Sequence, residues 1–350
     1  MLTDFRFCCF LFAALLCTGA ASAQQHGPSA QSGEKRIYLD VVVTSKSGSP
    51  VPDLQQQDFT LLDNNAPRML ASFEAVKPRE APMDVLLVID AVNASYQTVS
   101  FERIEIDKFL RAEAGRLQYP VAVAVLTDKG PQIVKDLSTD GNALSDALDH
   151  EEVGLRSIGR STGIEGADER LDISLQGLSQ LAVNGSPRTR RRIMVWVSPG
   201  WPFLAGPSTG LGTKQEQQIF ANIVALSTQL LQSRVTIYSI DPLAAESVTR
   251  SSYYKEFLKG VNKPNQVQIG NLGLQVLAVQ SGGLALSYTN NIAGALNECL
   301  AGTAPYYEVS FDPPPGNQPD EYHHLEIKLA KPDLIARTRH GYYAQPIAAN

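Results

Sequence analysis

The sequence predicts an α/β protein: a doubly wound, mostly parallel sheet inserted in a small β-sandwich formed by the N- and C-terminal strands. Two rhythms in the chain and one shortage lead there. Between about residues 82 and 302 the apolar runs DVLLVID, VAVAVLT, RIMVWVS and VTIYSID alternate with segments of helical period. Outside that stretch the period is that of strands, in RIYLDVVVT, DFTLLD and RMLASFEAV at the front and PYYEVSFDP, HHLEIKLA and LIARTRHGYYA at the back. Neither flank alone has a second layer to cover its apolar face, so the two ends are expected to pair.

In chain order, Phe7 to Cys17 is an apolar segment too short to span a bilayer, and Ala21-Ser22-Ala23 follows it as an A-x-A cleavage site. Residues 1–23 therefore read as an export signal, cleaved near Ala23, and the mature chain is expected outside the cytoplasm, periplasmic or secreted. Leu16 stands before Cys17 where a lipid-modified bacterial cysteine needs a small residue, so a lipoprotein is the second choice. Residues 24–33 form a polar tether. Residues 34–80 supply the front of the sandwich, 81–302 the α/β domain, 303–345 the back of the sandwich, and 346–350 a tail.

Within the α/β part, helices are expected over SFERIEIDKFLRAEAGRL, ADERLDISLQGLSQLAV, KQEQQIFANIVALSTQLLQS and LGLQVLAVQSGG, the last ending on Gly282-Gly283, which suits a left-handed C-cap. VAVAVLT and PQIVKDLS should make an antiparallel hairpin at the sheet edge.

With 350 residues and 43% hydrophobic content the chain can fill packed cores. Its net charge of −6 gives no electrostatic reason to approach nucleic acid or anionic lipid. The basic cluster RTRRR, Arg188 to Arg192, reads as a solvated loop before a strand. Cys8, Cys9 and Cys17 leave with the signal, so Cys299 remains alone in the helical pattern IAGALNECLAG and is expected to be a buried thiol. No transmembrane segment and no cofactor are expected.

Ligand crevices of open α/β sheets lie beyond the carboxyl ends of the strands, where Asp90, Ser198 and Asp241 fall. The order of pieces resembles the von Willebrand factor type A domain, whose metal-ion-dependent adhesion site uses D-x-S-x-S after the first strand. Asp90 keeps the aspartate, but Val92 and Ala94 stand at the serine positions and Pro199, in Ser198-Pro199-Gly200, at a carboxylate position. A magnesium ion needs near-octahedral oxygen ligation, which one carboxylate cannot supply. The motif therefore reads as degenerate, with Asp90 accepting the N–H groups of its own turn. A register-shifted metal site would instead draw on Asn93, Ser95 and Thr162.

With the flanks included, the chain is similar to the VWFA-related domain proteins of Acidobacteria. The likeness rests on VVVTSKSGSPVPDLQQQDFTLLDNNAP, IDAVNAS, VWVSPGWP, VTIYSIDP, QSGGLALSYTNNIAGAL, PYYEVSFDP and RHGYYA, in that order. It implies the fold and export. The residues themselves favour a non-enzymatic interaction or adhesion module over an enzyme, with a protein, a cell-envelope component or a second copy of the chain as its partner.

The expected contact face is Asn93, Ser95, Ser198, Trp201, Phe203 and Asp241, with Tyr253, Tyr254 and Phe257 as further aromatic contacts. Ordinary packing beneath a loop is the competing reading for each aromatic. An enzymatic alternative exists, because GPSTG matches G-x-S-x-G at Ser208 and, with Asp241 and His323 or His324, follows the order of a hydrolase triad. A nucleophile elbow needs a sharp strand-to-helix turn, which the Pro- and Gly-rich context of Ser208 does not offer.

Overall fold

The computed structural model describes residues 36–77, 83–151, 163–183, 190–201, 211–242, 253–286, 290–303 and 305–347. The expected signal and tether, Thr162, Phe203 and Ser208 lie outside them.

Four front strands come first: β1 (Ile37–Ser45), β2 (Phe59–Asp63), β3 (Ala66–Arg68) and β4 (Ser72–Val76). The middle of the chain runs β5 (Met83–Asp90), α1 (Tyr96–Arg111), β6 (Arg116–Thr127), β7 (Gly130–Asp140), α2 (Gly141–His150), α3 (Ile164–Val183), β8 (Arg191–Val197), α4 (Thr213–Gln232), β9 (Val235–Ile240), α5 (Leu274–Gln280), β10 (Ala285–Leu286) and α6 (Ile292–Ala301). Four back strands close it: β11 (Tyr306–Phe311), β12 (Glu321–Leu329), β13 (Leu334–Arg337) and β14 (Gly341–Ala344).

The central sheet has the order β10-β9-β8-β5-β6-β7, parallel except for the edge strand β7, which pairs antiparallel with β6. Strands buried on both faces should be apolar throughout, and all eight residues of β5 are buried. Alternate side chains feed two cores. Val85, Leu87 and Ile89 join Ile106 and Phe109 of α1, Leu144 of α2 and Leu296 of α6, while Leu86 and Val88 join Leu178 of α3, Leu226 of α4 and Leu277 of α5. Gly282 follows α5 at φ +93°, the left-handed conformation expected there.

Front and back strands interleave in two four-stranded sheets, β13-β1-β11-β4 and β14-β12-β2-β3. Their inner faces share one apolar core that includes Val41, Leu61, Phe311 and Ile327. The α/β part leaves the sandwich after β4 and returns through β11, and those two strands pair, with Val76 opposite Tyr306.

Four expectations need correction. RMLASFEAV is not one strand: β3 belongs to one sheet and β4 to the other, with Met69 at 91% exposure between them. α1 ends at Arg111 rather than running to Leu117, because Glu113 and Ala114 take φ of 50° and 58° and turn the chain into β6. The helix α2 was not expected; Asp140 caps it by accepting the Ala143 N–H. RTRRR is not a solvated loop over its described part. Arg191 is 1% exposed; it packs 4.5 Å from the Tyr306 ring and lies 3.2 Å from Asp40. Arg192, also buried, donates to the Leu181 and Ala182 carbonyls at the end of α3. Arg190 pairs with Asp84 at 3.0 Å.

Those arginines help close the seam between sandwich and sheet. Arg234, just past α4, donates to Asp40 at 2.7 Å and to Glu308 at 2.6 Å, which raises its already high pKa against the lowering effect of burial. Lys35–Asn350 accordingly forms one compact unit.

Candidate functional site

In a sheet ordered this way the strand sequence reverses direction between β5 and β8, and that switch point is where such folds open a crevice. Asp90 ends β5 and Ser198 follows β8, so both stand at the switch point. Asp241 follows the next strand, β9, and its N–H donates to Leu286 of β10.

Asp90 is fully buried and collects five hydrogen bonds. Its Oδ1 accepts the backbone N–H groups of Val92 and Asn93 at 3.1 and 3.0 Å. Its Oδ2 accepts the Asn93 amide at 2.9 Å, the Ser198 hydroxyl at 2.9 Å and the Trp196 indole at 3.2 Å. A carboxylate offers about four lone-pair directions, so five donors leave it no free one. The backbone pair is an Asx-type turn, as expected; the side-chain donors from β8 were not foreseen, because nothing in a single strand announces its neighbour across the switch point.

The turn's other side chains complete this arrangement. Val92 is fully buried among Leu171, Leu175 and Trp201, and Ala94 packs on the opposite core, so the two positions where the resemblance would place serine ligands are part of the apolar packing. Asn93 bridges Asp90 to Ser174 of α3 at 2.9 Å, and the Ser174 hydroxyl donates in turn to the Arg170 carbonyl at 2.7 Å. Ser95 is exposed and caps α1 by accepting the Thr98 N–H at 3.1 Å.

Of the expected contact residues, then, Ser95 faces solvent, Asn93 and Asp241 are half-buried, and Ser198 is buried within the Asp90 network. Trp201 does not serve as an exposed contact. It is 3% exposed and meets Trp196 edge-on, ring centres 5.5 Å apart, because the chain folds back over the end of β8. Phe257 is likewise buried, edge-on to Tyr253. Among the described residues, the large exposed aromatic at this end is Tyr96, 61% exposed at the first turn of α1.

One buried group went unrecognised. Glu102 on the inner face of α1 is fully buried, and neither carboxyl oxygen has a hydrogen-bond partner. Burial pushes its pKa well up, and the nearby Asp90 and Asp241 carboxylates push in the same direction, so the fold favours its protonated form. A signal existed: Val99, Glu102, Ile106 and Phe109 recur at helical spacing, which places Glu102 in the apolar stripe.

The histidines of the proposed triad lie elsewhere. His323 is buried in the sandwich, and its Nδ1 pairs with Asp63 at 2.7 Å while Tyr342 donates to the same carboxylate at 3.0 Å. Asp63, not Asp241, is therefore the carboxylate of His323. His324 points to the other face and is exposed.

The topology and the switch-point carboxylate define a doubly wound α/β protein with a buried polar cluster at its switch point. No protein-family model and no curated protein matches the chain. Among solved structures it is similar to the VWA domain of SpRpn10, at 11% identity over 62% of this chain and 94% of that one, with a TM-score of 0.30. It is also similar to the manganese-loaded TRAP protein of Plasmodium vivax, at 11% identity over 77% and 96% of the two chains, with a TM-score of 0.28. At such scores neither likeness carries an argument, and the fold stands on its own strand order.

Proposed function

We propose that the chain is an exported, non-enzymatic protein-interaction module of the von Willebrand factor type A-like kind, whose contact face is the carboxyl end of the central sheet and whose binding needs no metal. The observation that carries the metal-independent part is the saturation of Asp90 by five donors, with apolar side chains at Val92 and Ala94. A divalent cation at Asp90 would have to displace those donors and find further oxygen ligands in the same turn. The contact face combines exposed Ser95 and Tyr96 with half-buried Asn93 and Asp241, a small aromatic and polar patch of the sort that anchors protein partners.

The test is capture from a cell-envelope extract by the mature chain carrying a photo-crosslinking residue at exposed Gln97, beside Tyr96, in EDTA and in Mg²⁺. The expected result is one specific crosslinked partner, equal in both buffers and lost in Tyr96→Asp. Capture that requires Mg²⁺ would favour the register-shifted site using Asn93 and Ser95; capture indifferent to Tyr96→Asp would move the contact face elsewhere.

A further inference from the structure

The seam between sandwich and central sheet holds a small cavity of about 20 Å³, lined among others by Tyr38, Asp40, Arg234, Thr236, Ser281 and Arg339. One water needs roughly 10–15 Å³, so the cavity takes a single small occupant.

Arg339 is the charge without an ion-pair partner there; Asp40 is near enough to favour its charged form but is already paired with Arg191 and Arg234. Arg339 is 8% exposed, and among the described residues no carboxylate stands within ion-pairing distance of it. Its hydrogen bonds run to the Ser227 and Val235 carbonyls, both at 3.4 Å, longer than a well-made N–H···O bond. Ser227 lies inside α4, where carbonyls already serve the helix ladder. Burial lowers the Arg339 pKa to about 10, which leaves the guanidinium charged at pH 7.

The neighbouring charges are already matched. Arg191 and Arg234 face Asp40 and Glu308, two against two, and the two oxygens of Asp40 are each approached by one of those arginines. Arg337 turns to the Gly282 and Gly302 carbonyls just past α5 and α6, where helix ends are partly negative. The end of α4 at Leu231 brings a partial negative charge of about half a unit toward the cavity, less than the unit on Arg339. One positive charge remains over in a space for one small body, and a buried charge without a partner is costly.

We propose that this cavity is a halide site, in which one chloride-sized anion rests against the Arg339 guanidinium and supplies the missing counter-charge at the seam. A space of about 20 Å³ suits a halide better than the larger sulfate or phosphate. The anion joins strands of the sandwich to α4 and β9 of the α/β part, so it stabilises the docking of one on the other.

The test compares melting temperatures of the full mature chain in sodium bromide, chloride, gluconate and sulfate at equal ionic strength, for the wild type and Arg339→Met. A site filled at tenfold its dissociation constant should raise the wild-type value by roughly 2–4 °C in bromide or chloride over gluconate, in a saturable way, and Arg339→Met should show no halide-specific rise. Crystals soaked in bromide should give an anomalous peak beside Arg339, which decides the matter even where Arg339→Met fails to fold. Equal melting in all four salts, a halide rise that survives Arg339→Met, or a cavity with no anomalous peak overturns the proposal.

Discussion

Removing the Asp90 side chain should cost far more than removing a helix cap. A lost cap costs about 1 kcal/mol, since water reaches the freed N–H groups. Asp90→Ala would free five donors, of which the Val92 N–H and the indole of fully buried Trp196 lie where water does not readily follow. At roughly 1–3 kcal/mol for each buried donor left unmet, and allowing the Ser198 hydroxyl to turn elsewhere, the loss should come to about 3–5 kcal/mol. Asp90→Asn keeps an oxygen for the two backbone N–H groups but sets an amide nitrogen among three further donors, so it should lose roughly 1–3 kcal/mol. Urea denaturation followed by tryptophan fluorescence measures this directly, because both tryptophans of the chain, Trp196 and Trp201, adjoin the site. A loss under about 1 kcal/mol in Asp90→Ala would show that the network adds nothing beyond a cap. A saturable Mg²⁺-induced stabilisation that vanishes in Asp90→Asn would refute the reasoning altogether.

Glu102→Leu should stabilise the chain by about 1–3 kcal/mol at pH 7, since it replaces an unpartnered buried carboxyl with an apolar side chain. Because the folded state raises the Glu102 pKa, it binds that proton more tightly than the unfolded chain does. Its contribution is intact below the ordinary carboxyl range and is lost as the pH rises through the folded value, so Glu102→Gln should gain on the wild type in melting temperature with increasing pH. Cys299 is fully buried, and burial pushes its thiol pKa up to about 12, so a thiol reagent at pH 8 should label it only after denaturation; rapid native labelling would contradict the packing under α6. Asp63→Ala strands the buried partners His323 and Tyr342 and should cost about 3 kcal/mol, measured by the same urea titration.

The sheet was legible because strands buried on both faces write themselves as unbroken apolar runs, as MDVLLVID does. The hairpin of β6 and β7 and the interleaving of the two ends followed from period and from the need to cover apolar faces. What escaped depends on partners distant in sequence. Trp196 and Ser198 reach Asp90 across 106 and 108 residues, and Arg191 finds Tyr306 and Asp40 only when the sandwich docks. Trp201 was misjudged because loop position says nothing about what lies beneath the loop. Glu102 was legible in principle, and its helical spacing with Val99 and Ile106 outweighs its charge.

The pairing of β4 with β11 has a mechanical consequence. The chain enters the central sheet after Val76 and leaves it just before Tyr306, and those two residues face each other across a strand pair. Tension applied between the two ends of the molecule therefore passes through the ladders of the sandwich, and the α/β part hangs from that line as a closed loop. Until β4 and β11 are torn apart, the carboxyl-end face can hold its shape while the rest of the chain is under load.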